Sequence, residues 1–334
     1  MSELLKQAEA AEAEQDYEQA EKCYAELLEH EPDHAHAFAL RGHLHNRWEN
    51  FKLAEGCFKE AIKLGDKEAS TFQGLAKSHH EQGYLKQALN AYEQALEQQP
   101  DLTDASIQAG KTALVLKAYE KARHYIVKAR QLAPDNPDTN LAASLLFWHE
   151  GKPQAALEGI YGITQQTPDH IEAYIELARL LRIHKQYEDA QKVLKHLLSI
   201  APEHHQGHLQ FGFLFYCTGH NDWARAAFNT ALKKRPFCKE AYVGLALCAE
   251  QKNEWDRAYK NWQLAYYFCP QDTSLYFPFA QACIQQKAWH KAYGLLCAHL
   301  QEQPQHEKAQ LLIATTEHMK TAHTSNWESL ETHL

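Results

Sequence analysis

The chain has 334 residues, of which 45% are hydrophobic and 23% charged, a balance typical of a globular protein with a large apolar core. It lacks the run of about 18 apolar residues that membrane insertion requires, and its acidic N-terminus has neither the basic nor the apolar region of a signal peptide. The net charge of −9 comes from residues 1–34, so we expect a cytoplasmic protein without a basic surface for nucleic acid.

The sequence repeats every 34 residues from Met1 to His306. Alanine occupies position 20 of every block, a small residue occupies position 8, and proline occupies position 32 of eight blocks. The nine blocks follow one another without insertion: 1–34, 35–68, 69–102, 103–136, 137–170, 171–204, 205–238, 239–272 and 273–306. This register predicts one structural unit per block.

Each block predicts two antiparallel helices, at about positions 2–14 and 17–30, joined by a short turn. Small residues at positions 8 and 20 allow the two backbones to approach closely, and a large residue at position 24 fills the space between neighbouring pairs. Proline at position 32 ends the second helix. One block cannot bury its apolar face alone, so the blocks are expected to stack.

This pattern of aromatic, small, alanine and proline positions resembles the tetratricopeptide repeat family. The resemblance covers residues 1–306 and implies an all-α fold, a right-handed α-solenoid of nine helix-turn-helix repeats. Block one, which carries eleven acidic residues and two lysines, is expected to form a polar end. Pro153 falls at the first position of a helix, where proline is tolerated. Pro278 falls inside the first helix of block nine and predicts a kink that frees the carbonyl of Ser274.

Two segments follow the repeats. Residues 307–322 predict a helix that caps the last repeat, and residues 323–334 form a tail. Ser325 and Glu328 have the spacing of a capping box. Two interpretations of the tail stay open: a frayed end, or a short helix that docks on the protein or on a second copy, with one apolar side made of Trp327, Leu330 and Leu334.

No motif for phosphate binding, nucleophilic catalysis or a zinc protease is present, so we expect a non-enzymatic protein without a cofactor. The 22 histidines include alternate pairs such as His34 and His36, which point to different faces of a helix, and no metal site is predicted. They are either solvated or packed, or else His43 and His80, on one face of adjacent blocks, form a metal- or pH-responsive cluster.

By resemblance to the family, positions 2, 5, 9, 12 and 13 of the first helices line a concave groove that holds peptide ligands. In the first blocks these positions are polar: His43, Asn46, Lys77, His80 and Lys111. From block four onward they become apolar and aromatic, with two arginines among them. The predicted groove residues there are Leu141, Leu145, Trp148, Ile175, Arg179, Arg182, Leu209, Phe213, Tyr216, Leu247 and Phe277.

The run FGFLFYCTG at residues 211–219 combines two expected roles. Phe211 and Phe215, at positions 7 and 11, face the partner helix and are expected in the core. Phe213 and Tyr216, at positions 9 and 12, are expected in the groove. Soluble monomers rarely expose such a large apolar patch unless it is used. A tight superhelix, or the tail helix, would also cover these side chains.

We therefore expect a scaffold, adaptor or co-chaperone that binds a protein or peptide segment with apolar anchors and acidic residues. Arg179 and Arg182 would pair with the ligand carboxylates. The alternative is a self-assembling structural protein, a homo-oligomer joined through the aromatic groove or the tail helix.

Well-known family members capture a terminal carboxylate with a lysine and an asparagine at positions 5 and 9 of one block. The corresponding places hold Ala39 and His43 in block two, and Gln73 and Lys77 in block three. Capture of a chain terminus is therefore not expected, although Lys77 and Lys111 would attract an acidic segment.

Overall fold

The computed structural model describes residues 3–331, with side chains through Met319, and every regular element in that range is helical. The first helix of each repeat, termed the A helix, is α1 (Glu3–Ala13), α3 (Ala35–Arg47), α5 (Ala69–Glu81), α7 (Thr103–Val115), α9 (Pro137–His149), α11 (Ile171–Ile183), α13 (His205–Cys217), α15 (Lys239–Gln251) and α17 (Tyr276–Gln285). The second, termed the B helix, is α2 (Tyr17–His30), α4 (Phe51–Lys63), α6 (Leu85–Gln98), α8 (Tyr119–Leu132), α10 (Pro153–Gln166), α12 (Tyr187–Ile200), α14 (Asn221–Lys234), α16 (Trp255–Phe268) and α18 (Trp289–Glu302). Helix α19 (Glu307–Glu331) follows the ninth repeat.

The helix boundaries confirm the all-α fold built from paired helices. B helices cover positions 17–29 or 17–30, as the sequence predicts, and A helices cover positions 1–13 except in the first and ninth repeats. Each A helix packs against the B helix of its own repeat. Pro153 is the first residue of α10, where its missing N–H costs no hydrogen bond.

The chain divides between Pro168 and Asp169 into two compact units. Unit 1 contains α1–α10 and unit 2 contains α11–α19. In both units the alanine at position 20 is fully buried, and the large residue at position 24 is at most 4% exposed. Positions 20 and 24 therefore form the interior that the sequence pattern predicts.

Where position 24 is phenylalanine, its ring lies against two glycines, one from its own repeat and one from the next. In unit 2, an ideal Cβ atom on Gly212 would lie 2.4 Å from the Phe228 ring, and one on Gly244 would lie 2.2 Å from it. Phe58 in unit 1 stands in the same relation to Gly42 and Gly74. These close approaches explain why glycine occupies position 8 of one repeat and position 6 of the next.

Position 15, which follows the A helix, has a left-handed backbone in all nine repeats. Three repeats place glycine there, and six place residues with a Cβ atom: Gln15, Glu49, Lys117, Lys185, Asn253 and Lys287, with φ between 57° and 63°. This conformation ends the A helix and reverses the chain into the B helix. Side chains with a Cβ atom adopt it at a cost of about 1–2 kcal/mol relative to glycine.

Polar contacts join the first two repeats. Glu21 on α2 accepts hydrogen bonds from Arg41 and lies 3.2 Å from Nε2 of His45, both on α3. Burial raises the pKa of Glu21, but the hydrogen bonds from His45 and Arg41 outweigh it and lower that pKa to about 2. A half-buried carboxylate thereby stays ionised between α2 and α3.

The A helix of the ninth repeat begins later than predicted. A 3-10 turn, Thr273–Leu275, precedes α17, and Pro278 is the third residue of that helix. The amides of a first helical turn have no intrahelical partner, so proline is accommodated there. Pro278 therefore lies in the first turn of the helix and not in its interior as predicted, and Ser274 lies in the preceding 3-10 turn.

The C-terminal segment is one helix rather than two. α19 runs without interruption from Glu307 to Glu331, so Ser325 does not begin a separate tail helix and its predicted capping box is wrong. Ala309 and Thr316 of α19 are buried against the ninth repeat, which agrees with a capping role. The predicted side-chain roles of Trp327, Leu330 and Leu334 lie outside the described side chains.

Candidate functional site

The predicted binding residues of unit 1 lie on α9. Leu141 is fully buried and Leu145 is 8% exposed, whereas Trp148 is half-buried. The burial has a simple cause, since α9 packs against α7, α8 and α10. Leu141 and Leu145 therefore belong to the interior and not to an accessible groove, which corrects the sequence prediction. Trp148 retains accessible surface.

The aliphatic candidates of unit 2 divide in the same way. Ile175 is 8% exposed and Leu209 is 2% exposed, because α13 packs against both α11 and α15. These two residues are also interior residues rather than groove residues. Leu247 and Phe277 are half-buried. Position 5 is thus a packing position in α9, α11 and α13.

Arg182, Phe213 and Tyr216 come together on neighbouring A helices of unit 2. The guanidinium carbon of Arg182, on α11, lies 5.3 Å from the centre of the Phe213 ring on α13. Its Nη1 atom is 3.8 Å from Sγ of Cys217. The buried Nε atom of Arg182 has no hydrogen-bond partner in the described part of the chain. The arginine is thus held by an aromatic face while part of its donor capacity stays unused.

Phe213 and Tyr216 are themselves held in place by neighbouring residues. The Phe213 ring meets the fully buried Phe228 edge to face, with 5.0 Å between ring centres. Burial raises the pKa of Tyr216, and a side-chain hydrogen bond with Gln251 of α15 acts in the opposite direction. Tyr216 therefore links two A helices. A ligand on this face would meet preorganised side chains, which lowers the entropy cost of binding.

The two predicted arginines differ in their partners. Arg179 donates from Nε and Nη2 to Oε2 of Glu176 at 2.8 and 2.6 Å, within its own helix. Arg182 makes no ion pair with any carboxylate among the described residues. Of the two, Arg182 is therefore the cation that is better placed to receive a carboxylate from a ligand.

On the A helices of the last two repeats, the side chains of Glu250 and Phe277 contact other residues of the chain. Oε1 of Glu250 accepts a hydrogen bond from Nε1 of Trp262 at 2.6 Å. Burial raises the pKa of Glu250, and the bond from Trp262 partly offsets that rise. Phe277 packs against His299 and His306, with ring centres 5.4 and 4.5 Å away. Phe277 thus contacts a histidine pair.

The polar candidates of unit 1 are less accessible than expected. Asn46 is 5% exposed and donates from Nδ2 to the carbonyl oxygen of Gly74 at 2.8 Å. It is therefore a buried contact between α3 and α5, which corrects its assignment to the groove. The half-buried His43 ring meets Phe58 edge to face, and burial lowers its pKa.

Lys77, His80 and Lys111 remain on or near the surface. Lys77 is exposed, and Lys111 is half-buried. Nδ1 of His80 lies 3.8 Å from a carboxylate oxygen of Glu81. Among the described side chains, no group of three or more histidine, cysteine, aspartate or glutamate residues could hold a metal ion.

Two aromatic clusters on the surface of unit 2 were missed by sequence reasoning. In the first, Trp223 is 60% exposed, stacks on His220 and meets Phe215 edge to face. Phe211 and Phe215 are half-buried, so their assignment to the core is only partly correct. A tryptophan at position 19, next to the invariant alanine, was the available signal.

The second cluster joins the end of one repeat to the next. Phe237 is 66% exposed and Tyr267 is 75% exposed, and both rings pack on Phe268, with ring centres 5.4 Å from it. Tyr242 stacks on the same ring. Phe237 lies in a turn, Tyr267 and Phe268 lie on a B helix, and Tyr242 lies at position 4 of an A helix, so none of them is at a position from which the groove was predicted.

Comparison with known protein families identifies the type of repeat. A tetratricopeptide repeat model matches residues 5–70, 74–137 and 214–273, and a second tetratricopeptide repeat model matches residues 147–209. Together the matches reach all nine helix pairs except the last. Within the described residues, no helix combines the length and the hydropathy needed to cross a bilayer.

Individual proteins resemble the chain over part of its length. It is 22% identical over 218 residues to the human protein O-mannosyl-transferase TMTC3, a match that covers 65% of this chain and 21% of that protein. It is 26% identical over 152 residues to mouse tetratricopeptide repeat protein 21A, covering 43% of this chain and 11% of that protein. The chain thus spans at most about a fifth of the length of these relatives. A tetratricopeptide repeat protein from Parabacteroides merdae ATCC 43184 superposes with a TM-score of 0.65 at 16% identity, covering 74% of this chain and 97% of that one.

Proposed function

Because the chain belongs to the tetratricopeptide repeat family, whose repeats generally bind proteins, we propose that it is a protein-interaction scaffold that binds a partner segment on the A-helix face of unit 2. The proposed binding residues are Arg182, Phe213 and Tyr216. The observation that carries this proposal is the Arg182 guanidinium, which rests on Phe213 and has no carboxylate partner among the described residues.

The chemistry of the three side chains favours a ligand with an acidic residue beside an apolar one. Arginine binds a carboxylate with two parallel hydrogen bonds, which lysine cannot do. Phe213 and Tyr216, both half-buried, offer an apolar surface next to that position. Aromatic and arginine side chains are also the residues that most often dominate binding energy at protein interfaces.

The finer parts of this proposal rest on the sequence. We assign the chain a binding rather than a catalytic role, and a cytoplasmic location, as an adaptor or co-chaperone for a segment with apolar anchors and acidic residues. The resemblance to TMTC3 covers about a fifth of that transferase, so the proposal does not extend to transfer of mannose.

Substitution of a single arginine tests the proposal. Arg182→Gln removes the charge but keeps a polar side chain, and Arg257→Gln on α16 is the matched control, because Arg257 pairs with Glu254 on the B-helix side. Tagged wild type and both variants would be used to capture proteins from a native lysate, followed by titration of the captured segment. We expect Arg182→Gln to weaken binding by about tenfold or more, equivalent to about 1.4 kcal/mol, and Arg257→Gln to leave it unchanged.

Two further measurements make the outcome decisive. Circular dichroism and thermal melting must first show that both variants keep the wild-type fold. Two aromatic variants then show which surface binds the partner. Tyr216→Ala, on the A-helix face, should lose the partner, whereas Trp223→Ala, on the other aromatic cluster, should keep it. Equal binding by wild type, Arg182→Gln and Tyr216→Ala would refute a site on this face.

A second candidate function is self-association through α19. Leu311 is 70% exposed and Met319 is 43% exposed on this helix. Ala314 is also exposed. If the 34-residue numbering is continued from Glu307, Ala314 falls at position 8, which is buried in all nine repeats. Light scattering over a range of concentrations would detect assembly, and Leu311→Lys should then restore the monomer. A constant monomer mass would exclude this alternative.

A further inference from the structure

Position 27 of the repeat departs from its pattern only in the ninth repeat. In the first eight repeats it is a buried apolar residue: Leu27, Ala61, Ala95, Ala129, Ile163, Leu197, Ala231 and Ala265. In the ninth it is His299, which is just as buried, at 5% exposed. A titratable ring therefore occupies a place that the fold otherwise reserves for apolar packing.

His299 pairs with a second histidine. Its Nε2 atom lies 2.9 Å from Nδ1 of His306, and the two ring centres are 4.9 Å apart. Phe277 packs against both rings. A hydrogen bond between two imidazoles requires one nitrogen to donate and the other to accept, so at least one of these facing nitrogens must be unprotonated.

The pair connects α18 to the start of α19. His306 precedes α19, and its carbonyl oxygen accepts hydrogen bonds from the amides of Ala309 and Gln310 at 2.9 and 3.1 Å. Ala309 is fully buried and Thr316 is 1% exposed, while Leu312 packs against the core of the last two repeats. The hydrogen bond between the rings therefore fixes the end of α19 where this helix first meets the ninth repeat.

We propose that the His299–His306 pair is an acid-sensitive latch, which holds α19 on the ninth repeat while at least one ring is neutral and releases it when both rings are protonated. Two imidazolium rings both donate at all their nitrogens, so the hydrogen bond between them is lost. Their like charges also repel at a short distance in a partly desolvated site.

The direction of the effect follows from the pKa of His299. Burial, and then the charge of His306, lower that pKa below its ordinary value of 6.5. A histidine with a lowered pKa in the folded state contributes its full stability above pH 6.5. That stability is lost as the pH falls from 6.5 towards the lowered value, because the released state binds the proton more readily.

The acidic residue that precedes the 3-10 turn already has its own partners. Asp272, which precedes the 3-10 turn, is held by Lys239 at 2.8 Å and by Ser274. The backbone of Thr273 faces His299 and raises its pKa, but less than burial and His306 lower it. The other titratable residues on the elements packed here are Tyr276 and Cys283 on α17; His290, Lys291, Tyr293, Cys297 and Glu302 on α18; and Glu307, Lys308, Glu317 and His318 among the described side chains of α19.

Hydrogen exchange measured by mass spectrometry tests the latch. Exchange of residues 307–319 would be compared at about pH 7.5 and about pH 5.5, after correction for intrinsic rates, with α15 peptides as an internal reference because α15 contains no histidine. His299→Leu restores the residue found at Leu197 in the sixth repeat. His290→Gln, an exposed position on the same helix, is the matched control.

In the wild type, we expect the opening constant of α19 to rise by up to about tenfold per pH unit below pH 6.5, with little change in α15. His290→Gln should behave like the wild type, and His299→Leu should remove the dependence on pH. A wild-type α19 that is equally protected at both pH values would overturn the proposal, as would a pH dependence that persists in His299→Leu. If His299→Leu fails to fold, His306→Asn provides the same test, because asparagine can cap α19 but does not titrate near neutral pH.

Discussion

Substitution of Gly244 by alanine is expected to destabilise unit 2, because the new methyl group would overlap the buried ring of Phe228. The new Cβ atom would lie 2.2 Å from Cζ of Phe228, far inside van der Waals contact. Gly212 approaches the same ring, and its ideal Cβ atom would lie 2.4 Å from it. Phe228 is fully buried, so a shift of its ring would disturb the surrounding core.

Two effects of opposite sign determine the change in the free energy of unfolding. Overpacking of a core costs about 1–3 kcal/mol, and the severe overlap at Gly244 favours the upper part of that range. Replacing glycine by alanine inside a helix returns about 1 kcal/mol. The free energy of unfolding should therefore fall by about 1–2 kcal/mol, which corresponds to a loss of about 2–8 °C in melting temperature for a unit of this size.

The chain offers a matched control for the same substitution. Gly294 lies inside α18 of unit 2, and an ideal Cβ atom there has no neighbour within 4 Å. Gly294→Ala should therefore stabilise unit 2 by up to about 1 kcal/mol. Urea unfolding followed by circular dichroism would measure both variants. Phe228→Leu should recover stability in the Gly244→Ala background, because leucine is accepted at position 24 in the sixth and ninth repeats.

The comparison decides between packing and helix propensity. If Gly244→Ala raised the stability as much as Gly294→Ala, helix propensity alone would govern both sites. The account of a phenylalanine clamped between positions 8 and 6 would then be wrong. The account would also be wrong if Phe228→Leu did not raise the free energy of unfolding of the Gly244→Ala variant. The destabilisation would then not come from overlap with the Phe228 ring.

Two other predictions concern stability. Glu21→Gln should lose about 1–3 kcal/mol at neutral pH, because Arg41 and the buried His45 lose their shared carboxylate. Because the pKa of Glu21 is lowered from 4.5 to about 2, the wild type loses this stability as the pH falls through that interval, and the variant should show a flatter acid limb in urea titrations. Lys185→Gly should raise the melting temperature, since φ is 63° there, with a gain of up to about 1 kcal/mol. Gly151→Ala, at the same position of its own repeat, should lower the melting temperature, and equal changes for the two would contradict the backbone explanation.

The fold could be predicted from the sequence because its determinants repeat. Alanine at position 20 is needed for close helix contact in every block, and its recurrence fixes the register of all nine pairs. The left-handed turn at position 15 was also visible in principle, since Gly83, Gly151 and Gly219 share that position. It was missed because lysine, glutamine, glutamate and asparagine fill the position in the other repeats, where stacking supplies the energy that the turn costs.

The depth of burial could not be predicted in the same way. Leu209 and Phe213 lie one helical turn apart on α13, yet Leu209 is interior and Phe213 is half-buried. The difference depends on how closely α11 and α15 approach α13, and no local sequence pattern specifies that distance. The contact of Arg182 with Phe213 likewise joins residues on different repeats. Position in the repeat therefore predicted which helix face to inspect, but not which side chains remain available on it.

The residues to which we assign a function are those that the repeat does not require. A position such as 20 or 24 keeps its character in all nine blocks because stacking demands it, and the conserved character says nothing about a ligand. Arg182 and His299 differ: one is a cation without a carboxylate partner among the described side chains, and the other is a buried imidazole where eight repeats place an apolar side chain. Each costs packing or solvation energy that an apolar residue would save. In a repeat protein, each residue can thus be compared with the residues at the same position of the other repeats. A residue that differs from them at a cost in stability is physical evidence of a role beyond folding.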